Sequence, residues 1–503
     1  MASEPDPRRW LILAGLLAVC LAIGLFTYKD YGVSWDEPSS YQYGREALSA
    51  YAHPQIEPAY TDSDGLLKYY GAAYLVSGAA LVSALGLPGT NSLHLLNFLT
   101  FLLGVAALYV LLSRWVSQPA AFGVVLLFIS QPLLWGHAFI NPKDIPFMAF
   151  FMLSLALGLG MLDRLPTIGT APAWKKVTLP LLAGLVLGFT TSIRIVAPLA
   201  GLIISVLAIH KSGWKAIPTL GIFWLTSLIG LYATWPFLWA DPANRFLASL
   251  QTMTAFPWNN KILFDGINYK ADNIPWRYLP KLMTLQFSEP ALLLGAAGIL
   301  LLAWRAWQKK AHAELVTILF LWFGLPLAWV ILARPTLYDN FRQFLFIMPP
   351  IFILGGLALD ELFKFKALSG PLPRGLILLA VMLPGLLAGI RLHPYEYVYY
   401  NSLAGNISGR YETDYWATSF SEAASYINAN APKNAVVSIG PWGLIQELLR
   451  PDLHIDRSDV SANSDYVIIF TRWGYEKNPA FTGKAVYTIG RAGAVFLVVE
   501  RMQ

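Results

Sequence analysis

Val33-Ser34-Trp35-Asp36-Glu37-Pro38 stands just after the first long apolar run of the chain, residues 10–27. Two neighbouring carboxylates thus follow a hydrophobic helix, among Tyr28, Tyr31, Trp35, Tyr41 and Tyr43. Trp and Tyr gather at the membrane–water boundary, which sets Asp36 and Glu37 at headgroup level. A carboxylate there is partly desolvated, and desolvation raises its basicity. On this stretch alone, a solvated loop that happens to carry two acids weighs equally.

The surrounding composition is that of a polytopic membrane protein. Of 503 residues, 56% are hydrophobic and 13% charged, against about 25% charged in soluble domains. Aromatic residues make up 14%, with 18 Trp, enough to furnish many boundary positions. The single cysteine, Cys20, excludes an internal disulfide framework and a Cys-based metal site. Residues 1–9 and the run after them have the outline of a signal peptide. The run is long for one, however, and Thr27-Tyr28-Lys29-Asp30 is a poor cleavage site, so a retained first helix is expected.

A membrane-spanning helix needs about 20 mostly apolar residues. Runs at 10–27, 93–115, 120–135, 145–162, 177–192, 195–210, 217–239, 290–307, 315–332, 344–362 and 376–390 give about eleven spans. Residues 67–87 are apolar but rich in Gly, Ala and Ser, and are read as lying along the interface. Loops on one side then carry Arg8/Arg9, Arg114, Arg164/Lys175/Lys176, Lys211/Lys215, Arg305/Lys309/Lys310 and Lys364/Lys366/Arg374. Their excess of Lys and Arg places that side, and the N-terminus, in the cytoplasm. The other side holds Asp36, Glu37, Asp62, Asp64, Asp144, Asp241, Asp265 and Asp272. An odd number of spans puts the C-terminus outside as well. Two outer loops are long, 28–92 and 240–289, the second dense in Pro and aromatic residues. No internal repeat of the transporter kind is present.

The expected division is 1–391, a transmembrane part, and 392–503, a small α/β domain outside the membrane. Residues 418–428 have helical spacing, and 435–439, 466–470, 485–489 and 494–499 read as short buried strands. Acidic and basic residues are mixed there, which makes no case for nucleic acid. A structural cap is as good a reading of this domain as a binding module.

Four charged groups fall at outer span boundaries: Asp36/Glu37, Lys143/Asp144, Arg194 and Arg342. Charges at such depth are costly and usually paired or functional. Asp144 sits at the start of a span, where a helix-capping role and an active-site role weigh evenly. Arg194 and Arg342 either snorkel to headgroups or grip a lipid phosphate with the guanidinium fork. Acids and phosphate-binding cations on one side are what sugar transfer from a phospholipid carrier requires: a base for the acceptor hydroxyl and cations for the leaving phosphate. There is no GxxxxGK[ST] phosphate loop. His53, His94, His137 and His393 lack metal-ligand spacing, so no cofactor is expected, although a divalent metal stays open.

The order of these stretches resembles the GT-C membrane glycosyltransferases. More narrowly it resembles glycosyltransferase family 39 and the protein-mannosyltransferase and aminoarabinose-transferase group. The resemblance rests on Asp36-Glu37 and on His137-Ala138-Phe139-Ile140-Asn141-Pro142-Lys143-Asp144-Ile145-Pro146. It continues through Trp235-Pro236-Phe237-Leu238-Trp239, Arg342-Gln343-Phe344-Leu345-Phe346, His393-Pro394-Tyr395 and Tyr411-Glu412-Thr413-Asp414-Tyr415-Trp416. It implies a mainly helical GT-C bundle with interfacial helices in the first outer loop. It also implies inverting transfer from a polyprenyl-phosphate sugar, with Asp36 as general base, Glu37 as the second acid of the pair and Asp144 supporting the site. Lys143, Arg194 and Arg342 are assigned to the lipid phosphate from their placement alone. The expected partners are a polyprenyl-phosphate-linked sugar donor, a lipid, glycan or protein acceptor, and membrane lipids, with no nucleic acid. The expected location is a bacterial inner membrane, with the site on the periplasmic face. A transporter or flippase for a lipid-linked sugar, or a non-catalytic scaffold, are the rival readings. The first calls for charges in mid-span and for repeats.

Overall fold

The computed structural model describes residues 8–58, 60, 65–87, 89–165, 173–440, 443–458 and 463–502, with the backbone alone for 173–176. Asp62 and Asp64 of the first outer loop, and the side chains of Lys175 and Lys176, lie outside the described residues.

The chain is a multi-pass membrane protein. Among the described residues eight helices are long and apolar enough to cross a membrane, and nine if one bent pair counts as a single span. The bent pair is Gln118–Ile129 and Pro132–Ile140, broken by 64°. Pro132 cannot continue a hydrogen-bonded helix, and the break falls where Gln131 repairs it. Gln131 Nε2 donates to the Leu127 carbonyl at 2.8 Å, and its Oε1 accepts from the Ser288 amide at 2.9 Å.

The eleven apolar runs of the sequence are thus all helical, and they differ from the eight or nine long apolar helices only in length and continuity. Val177–Thr191 is short, and Pro198–Thr234 forms one apolar stretch of 37 residues. That stretch folds back on itself at Gly213–Ala216. Trp224 Nε1 reaches Ser205 Oγ at 3.0 Å, although 19 residues of straight helix would span about 28 Å.

In the first outer loop, Glu37–Ala52 and Ala73–Leu85 are separate helices. The second has 13 residues, about 20 Å, too short for a hydrocarbon core of about 30 Å. Residues 67–87 therefore do not make a spanning helix. The second long loop carries the helix Pro242–Thr254, then a hairpin of β1 (Lys261–Phe264) and β2 (Ile267–Lys270). Asp265 and Gly266 both have positive φ, the geometry of a two-residue hairpin turn.

Past the last span, the C-terminal sheet is built from β3 (Val436–Ser438), β4 (His454–Asp456), β5 (Tyr466–Phe470), β6 (Lys484–Arg491) and β7 (Ala494–Arg501). The order is β4-β3-β5-β7-β6, with β3 parallel to β4 and β5, and β7 antiparallel to β5 and β6. The helix Ser419–Asn430 buries Phe420, Ala423, Ala424 and Ile427, the periodic positions seen in the sequence.

The two ends of the bundle differ in charge chemistry. At one end Arg114 pairs with Asp163 and Glu314, Lys211 with Asp163, and Arg305 with Glu361. These are the ends of the helices that the sequence assigns to the Lys- and Arg-rich side. The opposite ends of several of the same helices gather the groups described next.

Candidate active site

Asp36 is held from three directions. The Trp35 amide donates to the Trp416 carbonyl at 2.9 Å, the Val33 amide to Ser421 Oγ at 3.0 Å, and Ser34 Oγ to the Ile140 carbonyl at 3.0 Å. Pro38 then starts the helix Glu37–Ala52, whose N-cap is Asp36. The Asp36 side chain makes no capping hydrogen bond. Its carboxylate is directed instead at Lys143, whose Nζ lies 2.9 Å from Oδ2, and at Arg342, whose Nη2 lies 3.5 Å away.

Asp144 has no capping duty either. Asn141 Oδ1 accepts from the amides of Lys143 and Asp144 at 3.2 and 2.8 Å, and so caps the helix Asp144–Arg164 itself. That frees the buried Asp144 carboxylate. It receives Asn141 Nδ2 at 2.9 Å, Arg342 Nη1 at 3.3 Å, and a close ion pair from Arg194. Of the two readings of Asp144 drawn from the sequence, the helix cap is set aside. Arg194 stands in the turn after the helix ending at Thr191. Ser192 fixes this turn: its carbonyl accepts from the Ala73 amide and its Oγ donates to the Thr234 carbonyl, both at 3.0 Å.

Arg342 follows Asp339 and Asn340, both with positive φ. It is buried, with Asp339 Oδ2 3.0 Å from its Nη2, and its guanidinium lies 4.5 Å from the Trp416 ring centre. Tyr338 beside it stacks on Trp258 at 4.1 Å and on Phe256 at 5.5 Å. The aromatic residues of the second long loop thus pack on Tyr338, whose ring lies 5.4 Å from the Arg342 guanidinium.

Asp36, Asp144, Lys143, Arg194 and Arg342 therefore converge, although they come from distant parts of the chain. Glu37 does not join them. It is fully buried and faces inward, with Oε2 accepting from the Ser34 amide at 2.6 Å. Its Oε1 accepts from Tyr41 OH at 2.9 Å and lies 2.7 Å from His94 Nε2. His137 also serves the frame, placed 3.0 Å from both Asn141 Nδ2 and Tyr415 OH.

Burial alone would raise the Asp36 pKa, as the sequence reading expects. Lys143 first, then Arg342 and Arg194, outweigh it and pull the value down to about 2. The expectation of a carboxylate made more basic by desolvation is corrected: in this arrangement Asp36 is an ionised, weakly basic partner of cations.

Residues the sequence reading missed extend the cluster. Asp339 bridges Arg342 and Arg472, and Arg472 reaches Glu412 at 3.0 Å. Arg472 belongs to the C-terminal region, so that region touches the charge network directly. Beside Arg194, a cavity of about 470 Å³ opens between Tyr70, Leu199, Met253, Trp329, Tyr338 and Phe344. Its wall is almost wholly apolar, and Arg194 is the single charged residue among the described residues that line it.

No protein-family model and no curated protein sequence matches the chain. Solved structures do. ArnT from Cupriavidus metallidurans bound to undecaprenyl phosphate aligns over 98% of both chains at 14% identity, with a TM-score of 0.55. The same protein in the apo state aligns over 97% of this chain and 98% of its own, at 13% identity and a TM-score of 0.53. The oligosaccharyltransferase AglB from Archaeoglobus fulgidus, in complex with an inhibitory peptide and a dolichol-phosphate, aligns over 92% of this chain and 70% of its own, at 12% identity and a TM-score of 0.51. The bundle, the interfacial helices of the first outer loop and the C-terminal sheet together have the polytopic GT-C fold of these glycosyltransferases.

Proposed function

We propose that this protein moves one sugar from a polyprenyl-phosphate carrier to an acceptor at the outer face of the membrane, with inversion and with Asp36 as general base. The observation that carries the reading is the meeting of three cations and two carboxylates at the edge of an apolar cavity. The cavity suits an isoprenoid chain, and Arg194 at its wall suits the phosphate. Lys143, Arg194 and Arg342 are matched one for one by the carboxylates of Asp36, Asp144 and Asp339, so a phosphate binds by drawing cations from these partners. A sugar phosphodiester carries one negative charge, and the leaving polyprenyl phosphate gains another, which the cations stabilise. That a solved protein of the same fold holds undecaprenyl phosphate supports the choice of carrier.

In the step, the acceptor oxygen attacks the anomeric carbon from the face opposite the phosphate. The carbon–oxygen bond to phosphate breaks with its electron pair staying on the phosphate, and the acceptor proton passes to Asp36. Asp36 gains basicity when the incoming phosphate draws Lys143 and Arg342 onto itself. Asp144 keeps Arg194 and Arg342 aimed, and Glu37 fixes the start of the helix beside Asp36 as a positioning residue. The charges occupy helix ends and turns, not mid-span positions, which favours transfer over transport. The N-terminus and the Lys- and Arg-rich end lie on the cytoplasmic side in this reading, and the site and residues 392–503 on the periplasmic side.

Undecaprenyl phosphate binding to the purified protein in nanodiscs tests the site. Wild type binds, and Arg194→Ala weakens binding about 10- to 100-fold, the value of one charged hydrogen bond of about 1.5–3 kcal/mol. Equal binding by Arg194→Ala would contradict the placement of the phosphate.

The pH dependence follows from the depressed Asp36 pKa. A group whose folded pKa is lowered stays ionised down to that value, and kcat/KM reports the free protein. Protonation of Asp36 therefore costs wild type no kcat/KM above about pH 4, the ordinary carboxylate value. Removing the strongest cationic neighbour in Lys143→Met moves the acid limb of kcat/KM upward. An unchanged limb would show that Lys143 does not hold Asp36.

A further inference from the structure

Arg472 carries the C-terminal region into the charges around Asp36. It stands two residues past the end of β5, and its side chain is only 11% exposed. Its guanidinium has three partners. Nη2 pairs with Asp339 Oδ1 and lies 3.0 Å from Glu412 Oε1, and Nη1 donates to the Tyr415 carbonyl at 3.1 Å. Glu412 in turn accepts from the Asn340 amide. Tyr278 OH donates to the Asn340 carbonyl at 3.2 Å, and Tyr400 OH to Asn340 Oδ1 at 3.3 Å. The turn that carries Asp339 and leads into Arg342 is thus held from several parts of the chain.

The backbone bends on both sides of the Arg472–Asp339 contact. Asp339 and Asn340 have φ of 53° and 58°, and Trp473, next to Arg472, has φ of 64°. Left-handed backbone is uncommon outside glycine, above all for a side chain as bulky as Trp, and it persists where the surroundings over-determine it. Trp473 Nε1 donates to the Lys261 carbonyl at 2.8 Å and so helps to fix its turn. Strained backbone on both sides of one ion pair points to a use of that pair.

The use follows from how Asp339 divides its oxygens. Oδ2 alone accepts from Arg342, from Nη2 at 3.0 Å and from Nε at 3.2 Å, while Oδ1 faces Arg472. Arg342 lies 3.3 Å from Asp144 and 3.5 Å from Asp36, so Asp339 is its closest carboxylate. A carboxylate that gives both oxygens to one guanidinium makes the strong, bidentate pairing. Arg472 occupies the second oxygen and keeps Asp339 from closing that fork on Arg342. Without Arg472, the whole charge of Asp339 falls to Arg342 and holds it back from a phosphate. We propose that Arg472 is a positioning residue for transfer: by sharing Asp339, it leaves Arg342 available to the carrier phosphate. The role rests on the transfer reading above, whereas the sharing of Asp339 stands on the contacts alone. Arg472 acts through Asp339 and Arg342, not on the reacting atoms.

The test is a double-substitution cycle on the full chain in nanodiscs. It reads binding of undecaprenyl phosphate and of inorganic phosphate, together with sugar transfer and Tm. Arg472→Gln is expected to weaken both phosphates about 5- to 10-fold, within the coupling usual between neighbours in one charge network. Transfer falls further than binding, since the leaving phosphate gains a charge that Arg342 meets. Asp339→Asn, added to Arg472→Gln, is expected to restore binding to the wild-type value or better, because the competing carboxylate is gone. A merely structural Arg472 gives no such rescue: losing a second partner lowers Tm and binding again. Should Arg472→Gln not fold, Asp339→Asn alone decides: binding at least as tight as wild type is expected, and weaker binding overturns the proposal. Wild type that binds undecaprenyl phosphate, with Arg472→Gln binding it equally or the double variant showing no recovery, would overturn the positioning role and leave the transfer reading in place. Rescue seen with inorganic phosphate, in a protein that binds no undecaprenyl phosphate, would support the role of Arg472 and contradict the carrier. Binding of neither phosphate by wild type would overturn both.

Discussion

Asp36→Asn lowers kcat by about 10²- to 10⁴-fold, the usual worth of a positioned general base. At 1.36 kcal/mol per factor of ten, that is about 3–5 kcal/mol of barrier. The amide is nearly the same size and the side chain has no capping bond to lose, so the fold survives. Lys143 loses its carboxylate partner at 2.9 Å and is freer to meet the phosphate. Undecaprenyl phosphate binding is therefore retained or tightened while turnover collapses. This split separates a base from a phosphate ligand, whose loss weakens binding first. Full turnover in Asp36→Asn would remove Asp36 from the mechanism.

The second large effect is on Arg342, and it is one of stability as well as rate. Arg342 is buried and lies within 3.5 Å of carboxylates on Asp36, Asp144 and Asp339. Arg342→Met leaves those carboxylates short of a cation in a desolvated site. Removing one partner of a buried ion pair costs about 3–5 kcal/mol. Thermal unfolding in detergent is expected to show a clear drop in Tm. Transfer falls about 10²- to 10³-fold more than folding losses explain, since a donor to the developing charge is gone. Arg342→Lys recovers much of the stability and little of the rate, because an ammonium restores charge but not the planar fork that spans Asp144 and Asp339. Equal activity of Arg342→Lys and wild type would show that only charge matters at this position.

What could be read from the sequence follows from the cost of charge at the membrane boundary. Asp36, Lys143, Asp144, Arg194 and Arg342 each interrupt or bound an apolar run, and such charges need partners. The structure pairs them with one another. Glu37 shows the limit of that logic. Neighbours at the start of a helix point about 100° apart, so adjacency in sequence separates Asp36 from Glu37 in space. Glu37 faces His94 and Tyr41 instead. The basicity of Asp36 is hidden for a related reason: desolvation is visible in an aromatic context, but a lysine 2.9 Å away is not.

Other parts lay beyond periodicity. Asp339 sits three residues before Arg342, a spacing that offers a faint local signal. Arg472 lies in the C-terminal region among mixed charges, and no pattern there tells which arginine turns toward the membrane part. The hairpin of β1 and β2 did carry a signal, Asp265-Gly266 between short β-prone stretches, inside a loop otherwise read for its aromatics and prolines. The fold-back at Gly213–Ala216 was legible, because the polar break between the runs 195–210 and 217–239 falls there.

The most direct measurement is sugar transfer by the purified protein in nanodiscs. Undecaprenyl-phosphate donors carrying different radiolabelled sugars are supplied with membranes as the acceptor source, and free undecaprenyl phosphate is counted beside the label. The account predicts that label from at least one donor moves to an acceptor with the opposite anomeric configuration, that one undecaprenyl phosphate is released per sugar, and that Asp36→Asn abolishes both. Donor that is bound but never cleaved, by wild type and Asp36→Asn alike, would contradict it.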